Sequence, residues 1–276
     1  MFSDIAIAVR LWLRLGQYRP QPVTISRAWA WLRQFRGLDK SIVKRAAVHL
    51  TFVSEKQLIR DVMRENKRLL DELKNAGVGS KQIIYVSVHD AGSSSAALLK
   101  FLRDDARLES LGCNFVDSRD AERLQETTKR IGRGAIIYVD DFAGTGRQFC
   151  DVRSFIGPNI LGAFSEFVLF HTVCEEAISE ISKKTGADLR NAHVHPRSAR
   201  PLHPSSDLLS AEHRSALTKL CHQINPKQAL GFGRLASMVV FCWNTPNNAP
   251  AVFRGSTKQA PFVGLVPRTT DLPPLE

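Results

Sequence analysis

The chain has 276 residues, 43% of them hydrophobic, and a formal net charge of +11. That length suits one large domain, or one domain with an appendage, and buries a core without disulfides. The charge favours polyanionic ligands, nucleic acid or a heavily phosphorylated small molecule, but the basic residues are dispersed, which excludes a simple nucleic-acid arm.

In chain order, the opening "MFSDIAIAVRLWLRLGQYRP" places Ile5, Val9, Trp12 and Leu15 near helical spacing, interrupted by Arg10 and Arg14. It is too short and too charged for a membrane span and predicts an amphipathic helix docked on the body, with no membrane partner. Residues 1–80 read as an N-terminal helical region and residues 81–276 as the main domain. The clearest N-terminal helix starts at Ser54, where "SEKQ" has capping-box form, carries Leu58, Val62, Leu69 and Leu73 on one face, and stops at Asn75 and Gly77.

From Lys81 the rhythm changes. The strands expected are "QIIYVSV", "CNFVDS", "AIIYVDD", "AFSEFVLFHTV", "DLRNAHVH" and "ASMVVFCW". Between them lie helix-like "SSAALLKFLR", "DAERLQETTKR", "RQFCDVRSFI", "EEAISEISKKTG" and "SAEHRSALTKLCHQI". This alternation predicts an α/β fold with a mainly parallel sheet flanked by helices, following the N-terminal helical region. Ligands of such sheets bind outside the carboxyl ends of the strands, where the loops after Val88 and Val139 fall.

The chemistry concentrates in "IIYVDDFAGTGRQ", where an apolar strand meets Asp140 and Asp141. No Lys-Ser/Thr follows Gly146, so the stretch is not an ATPase-type phosphate loop, and Phe149 stands where a dinucleotide fingerprint needs glycine. Two adjacent like charges at a strand end call for a cationic or hydroxyl-bearing partner. A ribose diol offers two donors at suitable spacing. A 5′-phosphate on the same sugar then falls near Ala143, Gly144, Thr145, Gly146, Arg147 and Gln148, where backbone amides and a helix N-terminus favour negative charge.

This stretch resembles the ribose-phosphate loop of type I phosphoribosyltransferases at Val139, Asp140, Asp141, Thr145 and Gly146. It departs from that loop at Gly144 and Gln148, where Thr or Ser is common, and at Arg147, which replaces a small residue. "VVFCWNTPNNAP", preceded by "ALGFG", is similar to divergent phosphoribosyltransferase-like proteins of bacterial conflict (anti-phage) systems, some of them retron-associated and encoded beside reverse transcriptases. The resemblance covers about Ile25 to Arg268.

It implies a type I phosphoribosyltransferase-like fold and a substrate that is phosphoribosyl pyrophosphate or a nucleotide, with substrate-bound Mg²⁺ and no dedicated protein cage. Transfer or cleavage would occur at C1′, assisted by Asp140 and Asp141. The corresponding pyrophosphate loop is His89, Asp90, Ala91, Gly92, Ser93 and Ser94, a stretch that in isolation reads as a serine-rich helix cap and takes the functional reading only when coupled to the acid pair. Asn244, Asn247 and Asn248 are expected at the base or rim of the site, against the plain alternative of an Asn/Pro turn.

The rival reading is a catalytically inactive module that senses a nucleotide or binds a reverse transcriptase–nucleic acid complex or another defence-system subunit. His193 and His195 share one strand face with His203 nearby, the right ligand type for a three-His metal site, but no acid completes the set, so they read as a polar face. Lys129, Arg130 and Arg133 read as a solvated helix end, and Trp29, Trp31 and Phe35 as packing residues. Cys113, Cys150, Cys174, Cys221 and Cys242 are odd in number and lack CxxC spacing, as expected of reduced thiols in a cytoplasmic protein.

Overall fold

The computed structural model describes residues 4–88, 94–255 and 262–272. In chain order the elements are α1 (Asp4–Leu15), α2 (Ile25–Arg33), α3 (Gly37–Ala47), β1 (Thr51–Val53), α4 (Glu55–Asn75), β2 (Ile83–Ser87), α5 (Ser94–Lys100), β3 (Asn114–Val116), α6 (Ala121–Ile131) and β4 (Arg133–Ala143). They continue with α7 (Arg147–Ile156), β5 (Ala163–Cys174), α8 (Glu175–Thr185), β6 (Asp188–His195), α9 (Ala211–Ile224), β7 (Val239–Phe241) and α10 (Ala251–Arg254). No helix of the described residues is long and apolar enough to cross a membrane.

Two compact units form. One comprises residues 1–55 and 195–276, the other residues 56–194. The boundary expected between residues 80 and 81 thus falls inside the second unit, after α4.

The second unit is built on a five-stranded sheet of order β3-β2-β4-β5-β6. The β2–β3, β2–β4 and β4–β5 pairs are all parallel. Residues Ile84, Val86, Ile136 and Tyr138 alternate onto one face, where they pack with Leu124 of α6, Phe149 and Cys150 of α7, and Ala177 and Ile181 of α8. On the other face Tyr85 donates to Asn66 of α4 at 2.8 Å. The buried stripe of α4 runs Leu58, Asp61, Val62, Asn66, Leu69 and Leu73, so the expected apolar face carries two polar residues as well. The helix expected through Arg103 ends at Lys100 and passes into a π-helical turn at Phe101–Asp105.

The first unit joins the two ends of the chain. Its core contains Leu11, Leu15, Tyr18, Trp31, Phe35, Val240, Val252 and Phe253, and the Trp31 indole donates to the Val252 carbonyl at 3.1 Å. Three expectations are corrected here. Residues 1–80 are not wholly helical: β1 pairs in parallel with β7, the last expected strand, in a separate two-stranded sheet. On α1 the buried face is Ile7, Ala8, Leu11 and Leu15, whereas Ile5 and Trp12 are exposed, because the helix is rotated relative to the expected stripe. Trp31 and Phe35 are core residues, but Trp29 lies on the surface beneath the Arg33 guanidinium, 4.7 Å from its ring centre. Among the described residues the five cysteines are buried and none is in a disulfide.

Candidate functional site: the rim between β2 and β4

The chain leaves β2 for β3 on one side and returns to β4 on the other, so β2 and β4 flank a topological switch point. In open α/β sheets the crevice outside the carboxyl ends of such strands is where ligands sit. Strand β2 pairs with β4 as far as Ser87 opposite Val139, and β4 then runs on beside β5 alone through Ala143. Asp140 and Asp141 therefore lie within β4 rather than at its last residues, as the sequence suggested, because Phe142 and Ala143 still pair with Thr172 and Val173. Ser95, fully buried at the start of α5, clamps the two strand ends. Its hydroxyl accepts from the Val88 amide at 2.8 Å and donates to the Val139 carbonyl at 2.6 Å.

Asp140 and Asp141 are 2% and 7% exposed. Consecutive strand side chains leave opposite faces, yet at this strand end they share neighbours. The Ser94 hydroxyl donates to Asp141 Oδ1 at 3.0 Å, and the Asp141 amide donates to Asp140 Oδ1 at 2.8 Å. Burial, and then the Asp141 charge, push the Asp140 carboxyl well above the usual carboxylate range, only partly opposed by the hydrogen bonds it accepts. In the ligand-free chain Asp140 therefore holds a proton far more tightly than an exposed aspartate does.

Past β4 the chain turns at Gly144, Thr145 and Gly146 into α7. Gly146 caps that helix with φ 76° and ψ −13°, a left-handed conformation natural to glycine. A Cβ there would stand 3.1 Å from the Ala177 carbonyl oxygen and 3.1 Å from Ile181 Cγ1, so close packing against α8 demands glycine as well. Thr145 is half-buried, Arg147 and Gln148 are exposed, and the first amides of α7 open onto the turn. The Arg147 amide approaches Thr145 Oγ1 at 3.4 Å, a long contact. A dipole-positive helix start and an exposed guanidinium thus follow the acid pair within a few residues.

His89, Asp90, Ala91, Gly92 and Ser93 lie outside the described residues, while Ser94 opens α5 beside Asp141. Asn244, Asn247 and Asn248 belong to the unit that does not contain the acid pair. There Asn244 Oδ1 accepts from the Thr245 amide at 3.0 Å, Asn248 Nδ2 donates to the Phe232 carbonyl at 2.8 Å, and the Asn247 carbonyl accepts from Arg254 at 2.9 Å. Arg130 at the end of α6 donates to Asn114 Oδ1 at 2.9 Å.

One grouping escaped the sequence reading. His193 on β6 lies 2.9 Å from Asp61 Oδ2, and His171 on β5 lies 3.5 Å from the same oxygen. The expectation that no acid accompanies His193 is thereby corrected: the acid comes from a helix more than a hundred residues earlier. Its signal was an aspartate on the apolar stripe of α4. His195 is separate from this cluster, and its Nε2 accepts from the Met238 amide at 3.2 Å. Burial would raise the Asp61 carboxyl, but hydrogen bonds from Arg60 and His193 outweigh it and hold it down to about 2. Burial, then His193, lowers His171 to about 4 against the pull of Asp61, so its imidazole is neutral at pH 7.

The architecture and the rim define an α/β protein whose acid pair and helix-capped turn share one switch point. The family model described as PRTase-CE matches residues 29–268, and the chain belongs to that family of phosphoribosyltransferase-like proteins. Two solved structures are similar. One is orotate phosphoribosyltransferase from Aeropyrum pernix, with 16% identity and a TM-score of 0.31 over 50% of this chain and 68% of that one. The other is HGPRT-ase from Leishmania tarentolae in complex with GMP, with 14% identity and a TM-score of 0.35 over 52% of this chain and 81% of that one. No curated protein matches the chain.

Proposed function

We propose that the chain binds the ribose 5-phosphate part of phosphoribosyl pyrophosphate or of a nucleotide at the β2–β4 rim, and transfers or cleaves at C1′. The observation that carries this reading is the juxtaposition, toward the end of one strand and just past it, of the buried Asp140–Asp141 pair and the left-handed Gly146 turn that starts α7. Asp141 accepts from one ribose hydroxyl, while Asp140, its carboxyl raised by burial and by the Asp141 charge, donates to the other when protonated or accepts from it once ionised. The 5′-phosphate sits on the first amides of α7, with Thr145 and Arg147 as side-chain donors. As C1′ gains positive character, the pair stabilises it through space.

Asp140, Asp141 and Ser94 are an all-oxygen donor set, which fits a hard cation such as Mg²⁺ shared with substrate oxygens. When bound with substrate, that ion neutralises a pyrophosphate leaving group. The chain would thereby act as an effector in a bacterial anti-phage system, some of whose relatives accompany retron reverse transcriptases; this assignment draws on the resemblance at "DDFAGTG" and "NTPNN".

The test incubates the full chain and Mg²⁺ with labelled phosphoribosyl pyrophosphate and with common nucleotides. Consumption of one of them, lost when Asp140→Asn and Asp141→Asn are combined, is expected. Turnover that survives the double substitution overturns the reading. The net charge of +11 favours one alternative, a non-catalytic nucleic-acid-complex module. That alternative predicts salt-sensitive association with nucleic acid and nucleotide binding without product.

A further inference from the structure

We propose that Asp61, His171 and His193 form a three-ligand site for a divalent transition-metal ion of the zinc type, with a fourth position open to solvent. The inference is independent of the ribose-phosphate reading. Helix α4, strand β5 and strand β6, far apart in sequence, bring one carboxylate and two imidazoles together with all their ligand atoms within 4.8 Å of one another. Around a tetrahedral ion with bonds of about 2.0–2.1 Å, neighbouring ligand atoms sit roughly 3.3 Å apart. The distances from Asp61 Oδ2 to the two Nε2 atoms, 2.9 Å to His193 and 3.5 Å to His171, bracket that spacing.

Each ligand is also aimed. Thr172 Oγ1 lies 2.8 Å from His171 Nδ1, which leaves Nε2 toward the acid, the arrangement in which outer partners orient a metal-bound imidazole. Arg60 and Arg64 hold Asp61 Oδ1, at 3.0 and 3.5 Å, and so direct Oδ2 into the cluster. Two nitrogen donors and one carboxylate suit zinc and its neighbours rather than magnesium or calcium. The Asp61 and His171 side chains are 1% exposed while that of His193 is 44% exposed, so an ion enters past His193 and keeps a solvent-facing position there. The flanking β4–β5 pairs, Asp140 with Phe170 and Phe142 with Thr172, place His171 opposite Asp141, one strand from the acid pair.

The test titrates the full chain, stripped with a chelator, with Zn²⁺ alone by calorimetry near neutral pH, without any ribose phosphate. Saturable binding of about one equivalent is expected. His193→Ala, at a side chain 44% exposed, should weaken it by about tenfold or more, and His222→Ala, on the exposed face of α9, should leave it unchanged. Co²⁺ should give the intense visible absorption of a four-coordinate site in the wild type but not in His193→Ala, whose folding is checked by circular dichroism. No saturable Zn²⁺ binding, or equal affinity and an equal Co²⁺ spectrum in His193→Ala, would overturn the proposal. Failure of ribose-phosphate turnover would leave this result unaffected, so the two readings fail separately.

Discussion

Replacing Asp140 by Asn should make the ligand-free protein more stable at pH 7 while removing its capacity to handle a ribose. Asp140 is 2% exposed, and its carboxyl is raised by burial first and by the Asp141 charge second. A carboxyl whose folded pKa exceeds its unfolded one binds protons more tightly when folded. Its contribution to stability is complete below about pH 3.9, the unfolded value, and is lost as pH rises through the folded one. At pH 7, above the unfolded value, the wild type has lost part of that contribution, and the Asn variant has nothing to lose. The replacing amide keeps an oxygen for the Asp141 amide, now 2.8 Å from Oδ1 of Asp140, and gains an NH₂ donor able to face the Asp141 carboxylate.

The expected gain is about 0.5–2 kcal/mol, in the range of relieved functional-site strain, with a melting-temperature rise of a few degrees. Denaturant melts of both proteins at pH 7 and pH 4 measure it. The advantage should be present at pH 7 and should shrink toward zero at pH 4, close to the unfolded value, where the folded aspartate is neutral. It should also shrink at pH 7 in an Asp141→Asn background, which removes the second cause of the shift. A variant less stable than wild type at pH 7, or a gain that does not change with pH, would refute the account of the acid pair.

Two further outcomes test the frame around the site. Ser95→Ala leaves the buried Val88 amide and Val139 carbonyl without their shared hydroxyl and should cost about 1–3 kcal/mol in urea unfolding. A neutral effect would show that the strand ends do not depend on this clamp. Gly146→Ala places a Cβ 3.1 Å from the Ala177 carbonyl in a left-handed conformation and should cost about 1–3 kcal/mol by thermal melting, with weaker ribose-phosphate binding. Wild-type stability in that variant would mean the turn relaxes freely.

Much of the sheet was legible because its signals are local. The apolar runs at Ile83–Ser87 and Ala135–Val139 and the helices that follow Ser94 and Gly146 depend on short-range periodicity and turn chemistry. The β1–β7 pairing was not legible. Strands of three residues joined across nearly two hundred positions leave no periodic trace, and β1 sits inside a helical stretch. The rotation of α1 was misjudged because Ile5, Trp12, Ile7 and Leu11 are all apolar, and only packing decides which face is buried. The roles of Asn244 and Asn248 in their own turns likewise depend on which carbonyls and amides the fold brings near.

The order of residues alone determined that two acids would directly succeed a buried apolar run and precede a glycine turn and a helix start, because neighbours in a chain stay neighbours in any fold. Only the tertiary structure decided that Asp140 is buried enough for its carboxyl to be raised, and that Asp61 meets His171 and His193. Desolvation and side-chain encounter depend on which distant segments pack together, and that choice is made by the whole core rather than by any stretch of it.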